Sequence, residues 1–197
     1  MPLSGHTVIY GGSFDPPHLS HQMACLYLLE GLGAEAVWVV PVFGHPFGKM
    51  MSDFRHRFAM CQAMARALSP RVTVLDVEQR LGGPSRTHTT VSHLQTTRPD
   101  LKFALAIGAD LMADTPRWYL WPAIEAMLPV VVIGRTGYPS YDSKVALPAI
   151  SSTDIRRAIG EGQSIEGQVP TQVARYIAQS GLYRAGAAAT DGKSNQP

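Results

Sequence analysis

Two histidines three residues apart follow a glycine pair in the string Gly11-Gly12-Ser13-Phe14-Asp15-Pro16-Pro17-His18-Leu19-Ser20-His21. Two glycines let backbone N–H groups approach an anion, and a helix that starts near Pro17 aims its positive end at the same place. His18 and His21 then share one face of the first helical turn, where both imidazoles reach a phosphate. The plainer alternative is a strand–turn–helix joint whose histidines pack or cap. The coincidence of glycine turn and paired histidines favours the phosphate site, and a metal site lacks a third ligand at suitable spacing.

A second anion site is legible at Ser151-Ser152-Thr153-Asp154-Ile155-Arg156, where hydroxyls and free backbone N–H groups open a helix and Arg156 falls one turn in. An ordinary N-cap with a surface arginine is the alternative. Asp110 follows an apolar run and a glycine, a place for a carboxylate that accepts from ribose hydroxyls or simply forms a turn. Lys49 and Arg135 are candidate phosphate contacts, whereas Arg57 reads as a solvated surface charge.

The first string resembles the H-x-G-H region of the nucleotidyltransferase superfamily, and Ile150–Arg156 is similar to its I-S-S-T-x-I-R segment. Ile107-Gly108-Ala109-Asp110, Pro116-Arg117-Trp118 and the run Val169-Pro170, Tyr176-Ile177, Gly181-Leu182-Tyr183 resemble bacterial nicotinate-nucleotide adenylyltransferases in matching order, over about residues 7–184. The resemblance implies adenylyl transfer from ATP to nicotinate mononucleotide, giving the dinucleotide and pyrophosphate, with Mg²⁺ carried in by ATP. It implies catalytic roles for His18, His21 and Arg156. Contacts to ATP and its phosphates are expected at Gly11, Gly12, Ser13, Phe14, Lys49, Ser151, Ser152 and Thr153, with the histidines acting as imidazolium or as neutral donors. Ribose or acceptor contacts are expected at Arg86, Thr87, Gly108, Asp110, Trp118 and Arg135. Trp118 matches a tryptophan that stacks on the pyridine ring, although Trp121 has a similar claim.

Three departures bear on this reading. Ser20 stands where the signature has glycine, so its side chain must point aside or crowd the nucleotide. A P-P-H-K loop is altered to His45-Pro46-Phe47-Gly48-Lys49, and an S-Y-T segment that helps hold the ring acid is Ser85-Arg86-Thr87. Arg86 either pairs with that carboxylate or marks a different acceptor. The alternatives are therefore another phosphorylated acceptor, such as nicotinamide mononucleotide or a phosphopantetheine-like molecule, and a nucleotide-binding module with weakened catalysis.

The elements that must position these residues alternate along the chain. Thr7–Tyr10, Ala36–Pro41, Val72–Val77, Phe103–Ile107 and Pro129–Ile133 read as strands. Helices are expected over His18–Leu32, Phe54–Leu68, Thr89–Thr96, near Trp118, from Ser151, and over Thr171–Ser180. This order predicts an α/β, Rossmann-like domain over residues 1–184, its mostly parallel sheet carrying helices on both faces, with the candidate residues in loops at the strand ends. Residues 185–197 are small and polar and read as a disordered tail.

The chain has 197 residues with 45% hydrophobic and 16% charged, enough for a substantial core. A formal charge of +2 excludes a broad nucleic-acid footprint. Cys25 and Cys61 are the two cysteines and read as buried thiols in a reducing compartment. Without a leader pattern or a long apolar run, the expected location is the cytoplasm.

Overall fold

The structure is a computed structural model that describes residues 2–184 except residue 142; the tail assigned to residues 185–197 lies outside the described residues. Strands β1 (His6–Gly12), β2 (Ala36–Pro41), β3 (Val72–Val74), β4 (Lys102–Gly108) and β5 (Val130–Ile133) form one parallel sheet in the order β3-β2-β1-β4-β5. Their residues divide by alternation between two cores. Val8, Tyr10, Val37, Val39, Ala104 and Ala106 face one side, and Ile9, Val40, Leu105 and Ile107 the other. Helices α1 (Leu19–Leu26), α2 (Phe54–Arg66), α6 (Ser152–Gly160) and α7 (Thr171–Ser180) cover the first core. The second lies under α3 (Val77–Leu81), α4 (Thr87–Thr97) and α5 (Trp121–Met127). The expected α/β fold with helices on both faces is the observed one, and coverage of both faces explains why the strand runs are nearly continuous in apolar residues.

From β1 the chain moves outward through β2 to β3, then returns to the other side of β1 for β4 and β5. The carboxyl ends of β1 and β4 therefore flank the topological switch point, where an open parallel sheet leaves a crevice.

Local differences from the sequence reading have local causes. The apolar pattern of Val72–Val77 does not continue one strand: β3 stops at Val74 and α3 begins at Val77, burying Val77 and Glu78. The first helix changes winding after Leu26 into a π-turn over Tyr27–Gly31, with Leu32 N–H bonded to Tyr27 O at 3.0 Å. The helix expected near Trp118 is split into a 3₁₀ segment, Ala109–Arg117, and α5.

Candidate active site

β1 ends in the glycine pair, and the chain turns through Ser13 and Phe14, the latter at φ 47°. Gly12 permits this turn, because a Cβ there would lie 3.0 Å from the Phe14 ring. That ring is buried, edge-on to Tyr10 at 5.7 Å and to His21 at 4.9 Å between centroids. The expected phosphate contact at Phe14 is thus corrected for its side chain, which is core and supports His21.

His18 is the N-cap of α1, and its N–H donates to His21 Nδ1 at 3.1 Å. The two rings stack at 3.6 Å. With Nδ1 accepting, neutral His21 carries its hydrogen on Nε2, a donor free for another partner. His18 is 4% exposed, and its Nδ1 has no hydrogen-bond partner. Burial, aided by the positive charge of Arg135, lowers the His18 pKa to about 3. Burial likewise holds His21 well below the ordinary range, with His18 and Arg135 contributing. In the ligand-free fold burial therefore favours the neutral imidazole at both positions.

The start of α6 lies against this turn. Ser152 Oγ donates to Pro16 O at 2.9 Å, and Arg156 donates to Asp15 O at 2.7 Å, so two helix N-termini meet at one loop. Ser151 accepts from the N–H groups of Thr153 and Asp154 at 3.2 and 3.5 Å. Those amides, expected to be free for an anion, are capped. Ser20, buried, donates its hydroxyl hydrogen to Pro148 O at 2.7 Å, so its side chain is committed to the segment before α6.

Two arginines serve the scaffold. Arg57 is 1% exposed and donates to Ser13 O, Val42 O and Ser52 O at 3.0, 2.6 and 2.8 Å. It is a buried clamp across the ends of β1 and β2, not a solvated charge, and burial lowers its pKa while Asp15 opposes that. Arg135 pairs with Asp110 Oδ2 at 2.6 Å and donates to Ile150 O, so it is not a free phosphate contact. Gly108 makes room for the partner, since a Cβ there would collide with Asp110 Oδ1. Lys49 is exposed on the loop after β2.

A cleft of about 460 Å³ opens beside the glycine turn. Gly11, Gly12 and Ser13 form one end; the rim is made by His45, Pro46 and Phe47, by Arg86 and Thr87 at the start of α4, and by the 3₁₀ segment. The Arg86 guanidinium lies over the Tyr119 ring at 4.3 Å, and Arg117 over Phe47 at 4.7 Å. Trp118 lines the cleft, whereas Trp121, edge-on to it at 5.6 Å, is buried in the second core. Gly108, Asp110 and Arg135 lie outside the cleft lining.

Sequence reasoning missed Glu78, buried in the cleft wall, and the aromatic Tyr119 beneath Arg86. Glu78 stands in the polar stretch Asp76 to Arg80, where a carboxylate reads as an ordinary exposed charge, so nothing local singled it out.

Comparison with known proteins shows the family and the fold. Residues 9–158 match the family model described as cytidylyltransferase-like. The chain is 43% identical over 179 residues to a probable nicotinate-nucleotide adenylyltransferase of Anaeromyxobacter sp. (strain K), covering 89% of this chain and 95% of that one. A protein of the same description from Myxococcus xanthus is 36% identical over 176 residues, covering 89% and 93%. Among solved structures, the Plasmodium falciparum nicotinic acid mononucleotide adenylyltransferase complexed with NaAD shares the fold, with a TM-score of 0.78 and 20% identity over 90% of this chain and 97% of that one.

Proposed function

The chain belongs to the cytidylyltransferase-like family, and from that premise we propose that it transfers the adenylyl group of ATP to nicotinate mononucleotide, a step of NAD biosynthesis. The observation that carries this reading is the shared glycine turn: Gly11–Ser13 line the cleft, and Tyr10 and Phe14, which flank them, pack against His21 of the stacked pair, so one loop serves both halves of the reaction.

In the reaction an oxygen of the acceptor's 5′-phosphate attacks the α-phosphorus of ATP. A new P–O bond forms, the bond to the bridging α–β oxygen breaks, and its electron pair leaves with pyrophosphate. The attacking group is already an anion, so no general base or protein nucleophile is required. What the protein supplies is position and charge stabilisation. His21 Nε2–H and neutral His18 donate toward the transferring phosphate, and the N-terminus of α6 adds its dipole from the other side. Mg²⁺ enters as part of the substrate, bound to ATP. The acceptor's ring fits the cleft, with Trp118 as its stacking face and Arg86 and Thr87 toward its carboxylate. Buried free thiols at Cys25 and Cys61 fit a reducing, cytoplasmic setting, and among the described residues no helix is long and apolar enough to cross a membrane.

Pyrophosphate release from ATP, Mg²⁺ and nicotinate mononucleotide tests the reading. Wild-type protein is expected to release it, with nicotinamide mononucleotide a poorer acceptor. His21→Ala is expected to lose a factor of about 10²–10³. Release unaffected by His21→Ala would sink the mechanism.

A further inference from the structure

Glu78 is a buried carboxylate that touches none of the groups assigned to transfer, yet it lines the cleft. Its Oε2 accepts the N–H of Phe43 at 3.2 Å, and its Oε1 accepts the hydroxyl of Thr90 at 3.1 Å. Ser85 Oγ accepts the same Phe43 N–H at 2.9 Å and that of Gly44 at 3.3 Å, so Ser85 and Glu78 share a donor, and the Ser85 hydroxyl favours the charged form of Glu78. Ser85 N–H in turn donates to Gly44 O at 2.8 Å. The segments are drawn so close that a Cβ on Gly44 would lie 2.8 Å from Gly83 O.

One carboxylate therefore holds three pieces of chain. Phe43 begins the loop that carries His45, Pro46 and Phe47 to the rim; Ser85 immediately precedes Arg86 and Thr87; Thr90 sits in the first turn of α4, its N–H bonded to Arg86 O at 3.0 Å. Arg86 and Thr87 are bracketed between Ser85, which shares the Phe43 N–H with Glu78, and Thr90, which bonds to Glu78 directly. The Arg86 side chain is exposed and rests on Tyr119, so its own backbone is what limits where it can reach.

We propose that Glu78 is a positioning residue for acceptor selection: through Ser85 and Thr90 it fixes the start of α4, and with it the groups that distinguish an acidic from an uncharged pyridine ring. The proposal rests on the acceptor reading above. The effect of Glu78 passes through backbone placement, so it acts on acceptor binding and leaves the histidine site alone.

The test compares wild type, Glu78→Gln and Ser85→Ala in the pyrophosphate assay, with nicotinate and nicotinamide mononucleotides as acceptors. Glu78→Gln keeps the shape but turns an amide NH₂ toward donors; Ser85→Ala keeps the carboxylate and removes the relay, so one variant remains if the other fails to fold. The expected result is an acceptor KM raised about tenfold, the size of one lost hydrogen bond, with ATP KM within twofold of wild type. The preference for nicotinate over nicotinamide mononucleotide is expected to narrow by a similar factor. An unchanged preference overturns the proposal, including the case where kcat and thermal stability fall together, since that marks a merely structural carboxylate. Wild-type protein that neither binds nor converts nicotinate mononucleotide overturns the acceptor reading itself, and the role of Glu78 with it.

Discussion

Tyr183 donates its hydroxyl hydrogen to Asp15 Oδ1 at 2.6 Å, joining the end of the described chain to the turn that precedes His18. Asp15 is 2% exposed, and its second oxygen accepts the N–H of Ser52 at 3.1 Å, while its carbonyl accepts from Arg156. The residue thus gathers the loop after β2, the start of α6 and the C-terminal segment around the turn that leads into His18. Burial raises the Tyr183 pKa, and the neighbouring Asp15 raises it further, so the phenol stays protonated and keeps donating. Tyr183→Phe removes one charge-assisted hydrogen bond at a buried carboxylate. A loss of about 1.5–3 kcal/mol in urea unfolding is expected, with slower pyrophosphate release. Unchanged stability would show that Asp15 is held without Tyr183.

Arg57 contributes differently, because its partners are three backbone carbonyls of two strand-end loops. Lysine offers no planar fork for them. Arg57→Lys is expected to lose about 2–4 kcal/mol, with at least one buried carbonyl left unpaired, and to lower turnover by loosening the Ser13 turn. Guanidinium unfolding of the variant beside wild type is the measurement. A variant as stable as wild type contradicts the clamp.

Ser20 replaces the signature glycine without blocking the site, since its hydroxyl is committed to Pro148 O. Ser20→Gly is therefore expected to lower stability by about 1–2 kcal/mol, from the lost bond and the poorer helix former. It is not expected to improve the KM for ATP. A severalfold fall in that KM would mean that the serine crowds the nucleotide after all.

Acid destabilises the fold through His18. Its folded pKa is about 3 against an ordinary 6.5, so between those values the unfolded chain binds a proton that the folded chain refuses. Stability is full above about pH 6.5 and falls as pH drops toward 3, by about 1.4 kcal/mol per unit for one such group. His18→Asn is expected to flatten this slope in a pH series of thermal or urea unfolding. An equal slope in the variant assigns the acid sensitivity elsewhere.

The local patterns were readable because neighbours in sequence make them. The glycine pair after Tyr10, the three-residue spacing of His18 and His21, and the Ser-Ser-Thr start of α6 are set by residues within one turn of each other. The nearly unbroken apolar run of β2, and the apolar run of β4, likewise announced a sheet covered on both faces. Val72–Val77 misled because its alternating pattern runs on past Val74, where over so few residues it does not separate a strand end from the start of a helix that buries Val77.

What the sequence by itself determined is the α/β order, the glycine turn with its paired histidines and the residue types available at the strand ends. The tertiary structure alone decided which of those residues are free. Arg135 is taken by Asp110, Ser151 by its own helix, Arg57 by the scaffold; Trp118 faces the cleft while Trp121 is buried; and Glu78 sits in its wall. The physical reason is that a side chain's charge state and availability depend on burial and on its partners. Those partners arrive from distant elements, as Asp15 and Tyr183 do from 168 positions apart, only when the sheet brings them together.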